Sequence, residues 1–140
     1  MNPRAPKTRD LIPGELMARL IANGMNVEEA QGRTWDPVPV VKLFNPVGPG
    51  TWLITEISQD ADSLFGLCDL DQGYPELGYV SLDELEAIML PFGFRIERDL
   101  TFEGLIPLSQ WAALARGMGS ITAAERAVES LKSSPSARSH

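Results

Sequence analysis

VPVVKLFNPVGPGTWLITEI, residues 38–57, decides the fold. Two apolar, β-branched runs flank Asn45-Pro46-Val47-Gly48-Pro49-Gly50, a stretch in which prolines and glycines prevent any regular element. Val38 to Phe44 carries Pro39 near its start, where an edge strand tolerates proline. Thr51 to Ile57 reads as a second strand, so the pair is a hairpin with a long loop.

Downstream, Ser58 to Ser63 is a polar turn containing Asp60 and Asp62. Leu64 to Leu70 reads as a third strand and Leu77 to Val80 as a short fourth. Strands at this spacing with no helix between them favour an antiparallel meander. Ser81 then opens a helix. Ser81 and Glu84 have capping-box spacing, and Val80 and Leu85 occupy the positions of a hydrophobic staple. Leu82, Leu85, Ile88 and Met89 form its apolar stripe, and Pro91 ends it. Phe94 to Asp99 reads as a fifth strand.

The flanks read as helices. Pro13 suits a first helical turn, Leu16, Met17, Leu20 and Ile21 share a face, and Asn23-Gly24 supplies a left-handed stop. The segment from Val27 to Arg33 stays open between a short second turn and a loop. Pro107 starts a later helix with Leu108, Trp111, Leu114 and Ala115 inward and Gly117 closing it. Ile121, Ala124, Val128 and Leu131 form a thin stripe, with Thr122 and Glu125 as a second capping box. Whether residues 118–132 pack on the rest stays open. The expected organisation is a flexible arm over 1–10, one α+β domain over 11–117, and a marginal helix and disordered tail over 118–140. The fold class is α+β: an antiparallel sheet of about five strands with helices on one side and at the ends.

Lys42-Leu43-Phe44-Asn45-Pro46, Thr51-Trp52-Leu53-Ile54-Thr55-Glu56, Leu64-Phe65-Gly66-Leu67-Cys68-Asp69-Leu70, Glu76-Leu77-Gly78-Tyr79-Val80-Ser81-Leu82-Asp83-Glu84-Leu85 and Ile96-Glu97-Arg98-Asp99-Leu100-Thr101-Phe102 stand in that order. Together they resemble the bacterial domain of unknown function 2958 family, over about half the chain, and the first and Pro107 helices resemble its flanks. The resemblance implies a small cytoplasmic protein, often encoded on plasmids, integrative elements and phage-like DNA. It implies no known reaction and therefore carries over no catalytic residue. The chain departs from the family pattern at Pro13-Gly14, where many members have a threonine cap, and in its serine-rich end.

The 140 residues are enough for one domain with a substantial core. No apolar run approaches the ~18 residues that span a membrane, and no apolar signal core follows the polar N-terminus. A lone cysteine, Cys68, excludes an internal disulfide and fits a reducing cytoplasm. Charge is uneven. Residues 36–106 hold 13 acids and 3 bases, within a net charge of −7. An acidic centre disfavours nucleic acid, whose binding rests on Lys and Arg neutralising phosphates. It serves solubility, contact with a basic protein partner, or mimicry of nucleic acid.

Candidate chemistry is thin. Cys68 lies in an apolar run, and the single histidine, His140, ends the chain; a nucleophile needs a base beside it. Asp69, Asp71 and Gly73 suggest a calcium loop, but glycine and glutamate do not fall where an EF-hand requires them. Gly48 and Gly50 lack the lysine of a phosphate loop. On a regular strand Glu56 shares a face with Trp52 and Ile54, and Arg98 is its candidate ion-pair partner. Two functions follow. The first is a non-enzymatic interaction protein whose contact surface combines Trp52, Glu56, Asp69, Asp71, Tyr74, Glu76, Tyr79 and Arg98, with no metal or other cofactor expected. The alternative is a small metal-dependent hydrolase or nucleotide-handling enzyme using Glu56, Asp69 and Asp71.

Overall fold

The β2–β3 pair is the middle of the molecule, because its strands are apolar on both faces. In the computed structural model, which describes residues 11–30 and 35–133, Thr51–Ile57 (β2) is buried along nearly its whole length. Ser63–Asp69 (β3) alternates less cleanly but buries residues on both sides. Val41–Phe44 (β1) pairs with β2, and Glu76–Ser81 (β4) pairs with β3, all antiparallel. Glu97–Arg98 (β5) pairs with β1, giving a five-stranded sheet in the order β4-β3-β2-β1-β5. The expected antiparallel α+β architecture is present. The expected arm over 1–10 and the tail beyond 133 lie outside the described residues.

Four α-helices and a short 3-10 turn at Pro91–Gly93 join the sheet in the described chain: Gly14–Ala30 (α1), Leu82–Ala87 (α2), Leu108–Met118 (α3) and Ile121–Ser133 (α4) are the α-helices. They cover both faces of the sheet, where one covered face was expected. Leu20, Leu82 and Leu85 pack with Val41, Leu43, Trp52, Ile54 and Leu64 in one core. Trp111, Ala115, Ile121 and Ala124 pack with Leu53 and Leu67 in the other. The reason lies in β2 and β3 themselves: neighbouring residues such as Leu53 and Ile54 point oppositely, and both are apolar. α4 is docked, since Ile121, Ala124 and Val128 are buried, while Leu131 points to solvent.

Local signals set several boundaries. The Ser81 hydroxyl accepts a hydrogen bond from the Glu84 N–H and donates to Asp62, whose other oxygen accepts from the Asp83 N–H. α2 stops at Ala87, so Met89 is exposed and outside the stripe. α3 runs past Gly117 to Gly119, which takes the left-handed conformation at φ 95°. α4 is capped by Ser120, whose hydroxyl accepts from the Ala123 N–H, and Glu125 turns to Lys42. The Thr122–Glu125 capping box is thus displaced to Ser120. At the other end, α1 continues through Asn23-Gly24 instead of stopping there. Asn23 donates to the Thr55 carbonyl at 2.8 Å. A Cβ on Gly24 would fall 2.2 Å from the Ile57 carbonyl oxygen. These two residues bring α1 close to β2, and that contact outweighs the tendency of Asn-Gly to turn.

Candidate functional site

A β-bulge determines where Glu56 points. Ile54 pairs with Gly66, but Glu56 pairs with Phe65, so Thr55 is the extra residue on β2. Paired residues share a face, and Phe65 packs against the core made by α3 and α4. Glu56 therefore lies on that side, opposite to Trp52 and Ile54, correcting the regular-strand expectation. Its carboxylate accepts from the Thr55 hydroxyl at 2.8 Å. Arg98 pairs with Leu43, on the other face and beyond β1, and its Nε donates to the Leu11 carbonyl at 3.2 Å. The expected Glu56–Arg98 ion pair does not form, because the sheet stands between them.

Burial pushes the Glu56 carboxyl above its ordinary value of 4.5, and the Thr55 hydrogen bond opposes only part of this. A raised carboxyl binds its proton more tightly in the folded chain than in the unfolded one. Glu56 therefore favours folding below the ordinary carboxyl range, and that contribution is lost as pH climbs through the folded value. Glu56→Gln, which keeps the acceptor for Thr55, is expected to be more stable than the parent at neutral pH and equal to it at about pH 4. Urea unfolding at the two pH values checks this. A variant less stable at neutral pH would mean that the ionised carboxylate has a favourable partner.

Trp52 and Asp69 are also interior. Trp52 belongs to the α1 core. Asp69 is 2% exposed and ties two segments together. One carboxylate oxygen accepts from the Ile121 N–H at the start of α4, and the other accepts from the Asp71 N–H, both at 2.8 Å. Glu56 stands opposite Phe65, and Asp69 lies about 13 Å further along β3. Hard cations hold their oxygen ligands within about 2.6 Å, so these two carboxylates cannot share one. Among the described residues no three of His, Cys, Asp and Glu are placed to hold a metal ion. Burial, assisted by the charge of Glu76, pushes the Cys68 thiol up to about 11, so it stays protonated at neutral pH.

The remaining members of the set lie along the end and edge of the β3–β4 hairpin, with Glu76 and Tyr79 on opposite faces of β4. Asp71 is exposed at φ 60°, Tyr74 is 79% exposed, Glu76 is exposed, and Tyr79 is 64% exposed. Tyr79 leans on Phe65 with ring centroids 5.0 Å apart. Leu70 and Leu77 are exposed beside them and were not singled out by sequence. The available signal was their place next to turn residues and an edge strand. This surface spans residues 70–79.

The sequence family model described as "Protein of unknown function (DUF2958)" matches residues 11–122. The chain belongs to this family. The match runs from the first residue of the α1 core to the first turn of α4, so the DUF2958 unit contains the whole sheet and the Asp69 contact to Ile121. Neither a curated protein nor a solved structure matches the chain.

A cleft elsewhere in the structure was not anticipated. A cleft of about 200 Å³ lies between the 99–105 loop and α4, with Phe102 and Trp111 on its wall and Asp99, Glu103, Glu125 and Glu129 around it. Its acids are partly neutralised. Lys42 lies 2.7 Å from Glu125 and 3.5 Å from Asp99, and Lys132 pairs with Glu103. Burial disfavours the ionised Asp99, but hydrogen bonds from Thr101 and the nearby Lys42 outweigh it and hold the carboxyl below its usual range. Lys42 therefore acts as a brace between β1 and α4. No helix among the described residues is long and apolar enough to cross a membrane.

Proposed function

We propose that this DUF2958 chain is a non-enzymatic interaction protein, an accessory factor of a mobile genetic element in the cytoplasm, that binds a basic protein partner. The contact surface is the acidic and aromatic segment from Leu70 to Tyr79. The supporting observation is the exposure, within one hairpin, of Tyr74, Tyr79, Leu70 and Leu77 together with Asp71 and Glu76. Tyrosines combine a large apolar face with a polar tip and dominate many contact surfaces. The neighbouring acids would speed encounter with a positive partner and make binding salt-sensitive. The hydrolase reading is less well supported, since Glu56 and Asp69 are engaged in internal hydrogen bonds.

Affinity capture from the native host tests this, with the parent chain and a Tyr74→Ser/Tyr79→Ser variant compared at low and moderate salt. Both tyrosines are exposed, so the variant is expected to fold. The partner should be retained by the parent, weaken with salt, and fall by roughly tenfold or more with the variant. Equal recovery by both chains, or no recovery from the parent, would count against the proposal.

A further inference from the structure

We infer that β4 takes up an extended, basic segment of the partner as an added strand. The inference rests on the interaction reading above and specifies its mode and the partner's sequence pattern. β4 is the outer strand of the sheet, and no described strand pairs with its far side. An outer strand offers a row of free N–H and C=O groups, and proteins usually blunt such an edge with lysine, proline, a bulge or extreme shortness. The opposite edge, β5, follows that rule with only two residues. β4 is less protected: Glu76–Ser81 is six residues long, unbulged against β3, free of lysine and proline, and carries one charge, Glu76, at its first position. Six residues extend over about 20 Å, enough for main-chain pairing with another chain.

Gly78 is the second observation. It sits mid-strand without a positive φ, and a Cβ placed there would meet nothing within 4 Å. Its cross-strand partner Gly66 is different: a Cβ there would strike the Leu53 carbonyl. Glycine in a strand interior sacrifices stability, and it recurs where another backbone or ligand approaches closely. Nothing within the described chain requires glycine at 78.

The pairing defines the two faces of the edge. Leu77 and Tyr79 stand opposite Leu67 and Phe65, on the α3–α4 side. Glu76, Gly78 and Val80 point to the other side. An added strand would therefore place apolar side chains beside Leu77 and Tyr79, a bulky one over Gly78, and a cation beside Glu76. Charge selects the occupant. Asp71 precedes the strand and Asp83 and Glu84 follow it; Arg116, which donates to the Pro75 carbonyl, is the base at its start. A second copy would bring a further −7 against this edge, whereas a basic segment is attracted to it.

The test uses the full chain and a short, blocked, palindromic peptide in which valines alternate with a lysine, a central tyrosine and a second lysine. Its symmetry allows either strand direction. Nuclear magnetic resonance should show slowed amide exchange in β4 on binding, with affinity falling as salt rises. Glu76→Lys should abolish this binding and transfer preference to the same peptide with glutamates in place of lysines. Gly78→Val should fold as well as the parent yet bind the tyrosine-centred peptide about tenfold more weakly. Absence of β4 protection, or unchanged binding by Gly78→Val, overturns the inference. So would a dimer seen by light scattering and broken by Gly78→Val, which would put a second copy on the edge. If β4 addition fails while capture still depends on Tyr74 and Tyr79, the interaction reading stands and this mode of binding falls. If capture fails as well, both fall.

Discussion

Replacing Gly66 with valine is expected to leave the chain largely unfolded at room temperature. Gly66 lies in β3 opposite Ile54, beside the bulge in β2. A Cβ there would be 1.8 Å from the Leu53 carbonyl oxygen, 2.8 Å from its carbon and 2.9 Å from the Ile54 Cα. All three are backbone atoms of the neighbouring strand, so no side chain can rotate away. Relief requires β2 and β3 to separate, and the two cores meet the sheet through those strands. Overpacking in a core typically costs about 1–3 kcal/mol, and contact with fixed backbone belongs above that range. A domain of this size holds about 5–15 kcal/mol in total. Gly78→Val is the control, since it alters the residue paired with Gly66 but enters open space. Thermal and urea unfolding of both variants check the contrast. A Gly66→Val chain with parental stability would show that the strands can slide apart at no cost.

Asp69→Ala is expected to lower stability by about 3 kcal/mol and to loosen α4 selectively. The substitution removes the acceptor of the Ile121 N–H, at a position where Ile121 itself is fully buried. A buried donor left unpaired costs about 1–3 kcal/mol, and a hydrogen bond to a charged acceptor is worth more than a neutral one. The carboxylate also faces the start of a helix, where negative charge is favoured. It holds the 69–71 turn through the Asp71 N–H as well. Asp69→Asn should recover part of the loss, because one oxygen acceptor remains. Native-state hydrogen exchange would report the selectivity: amides of α4 should exchange faster than those of β2. Uniform acceleration across both elements would mean that Asp69 supports the fold as a whole and does not tether α4.

Much of the fold was legible because its signals are local. β2 occupies the expected residues, Thr51–Ile57, because prolines and glycines bound it on one side and a polar turn on the other. Ser81 marks the start of α2 because a hydroxyl and the N–H three residues on must meet whenever a helix begins there. Less was legible at the candidate site. Asp71, Tyr74, Glu76 and Tyr79 lie within one hairpin and stay together at its surface, whereas Trp52, Glu56, Asp69 and Arg98 scatter to interiors and to the opposite edge. The periodicity of β2 misplaced Glu56 because one extra residue in a strand reverses every side chain after it.

From its sequence alone the chain was an acidic α+β molecule built on an antiparallel meander, since strand alternation, turn residues and helix caps act between near neighbours. Tertiary structure alone decided which residues spend their chemistry internally. Asp69 meets Ile121 across 52 positions and Asn23 meets Thr55 across 32, and no short-range pattern encodes such encounters. They arise because burying both faces of one sheet forces distant segments together, and each buried polar group must then find its partner there.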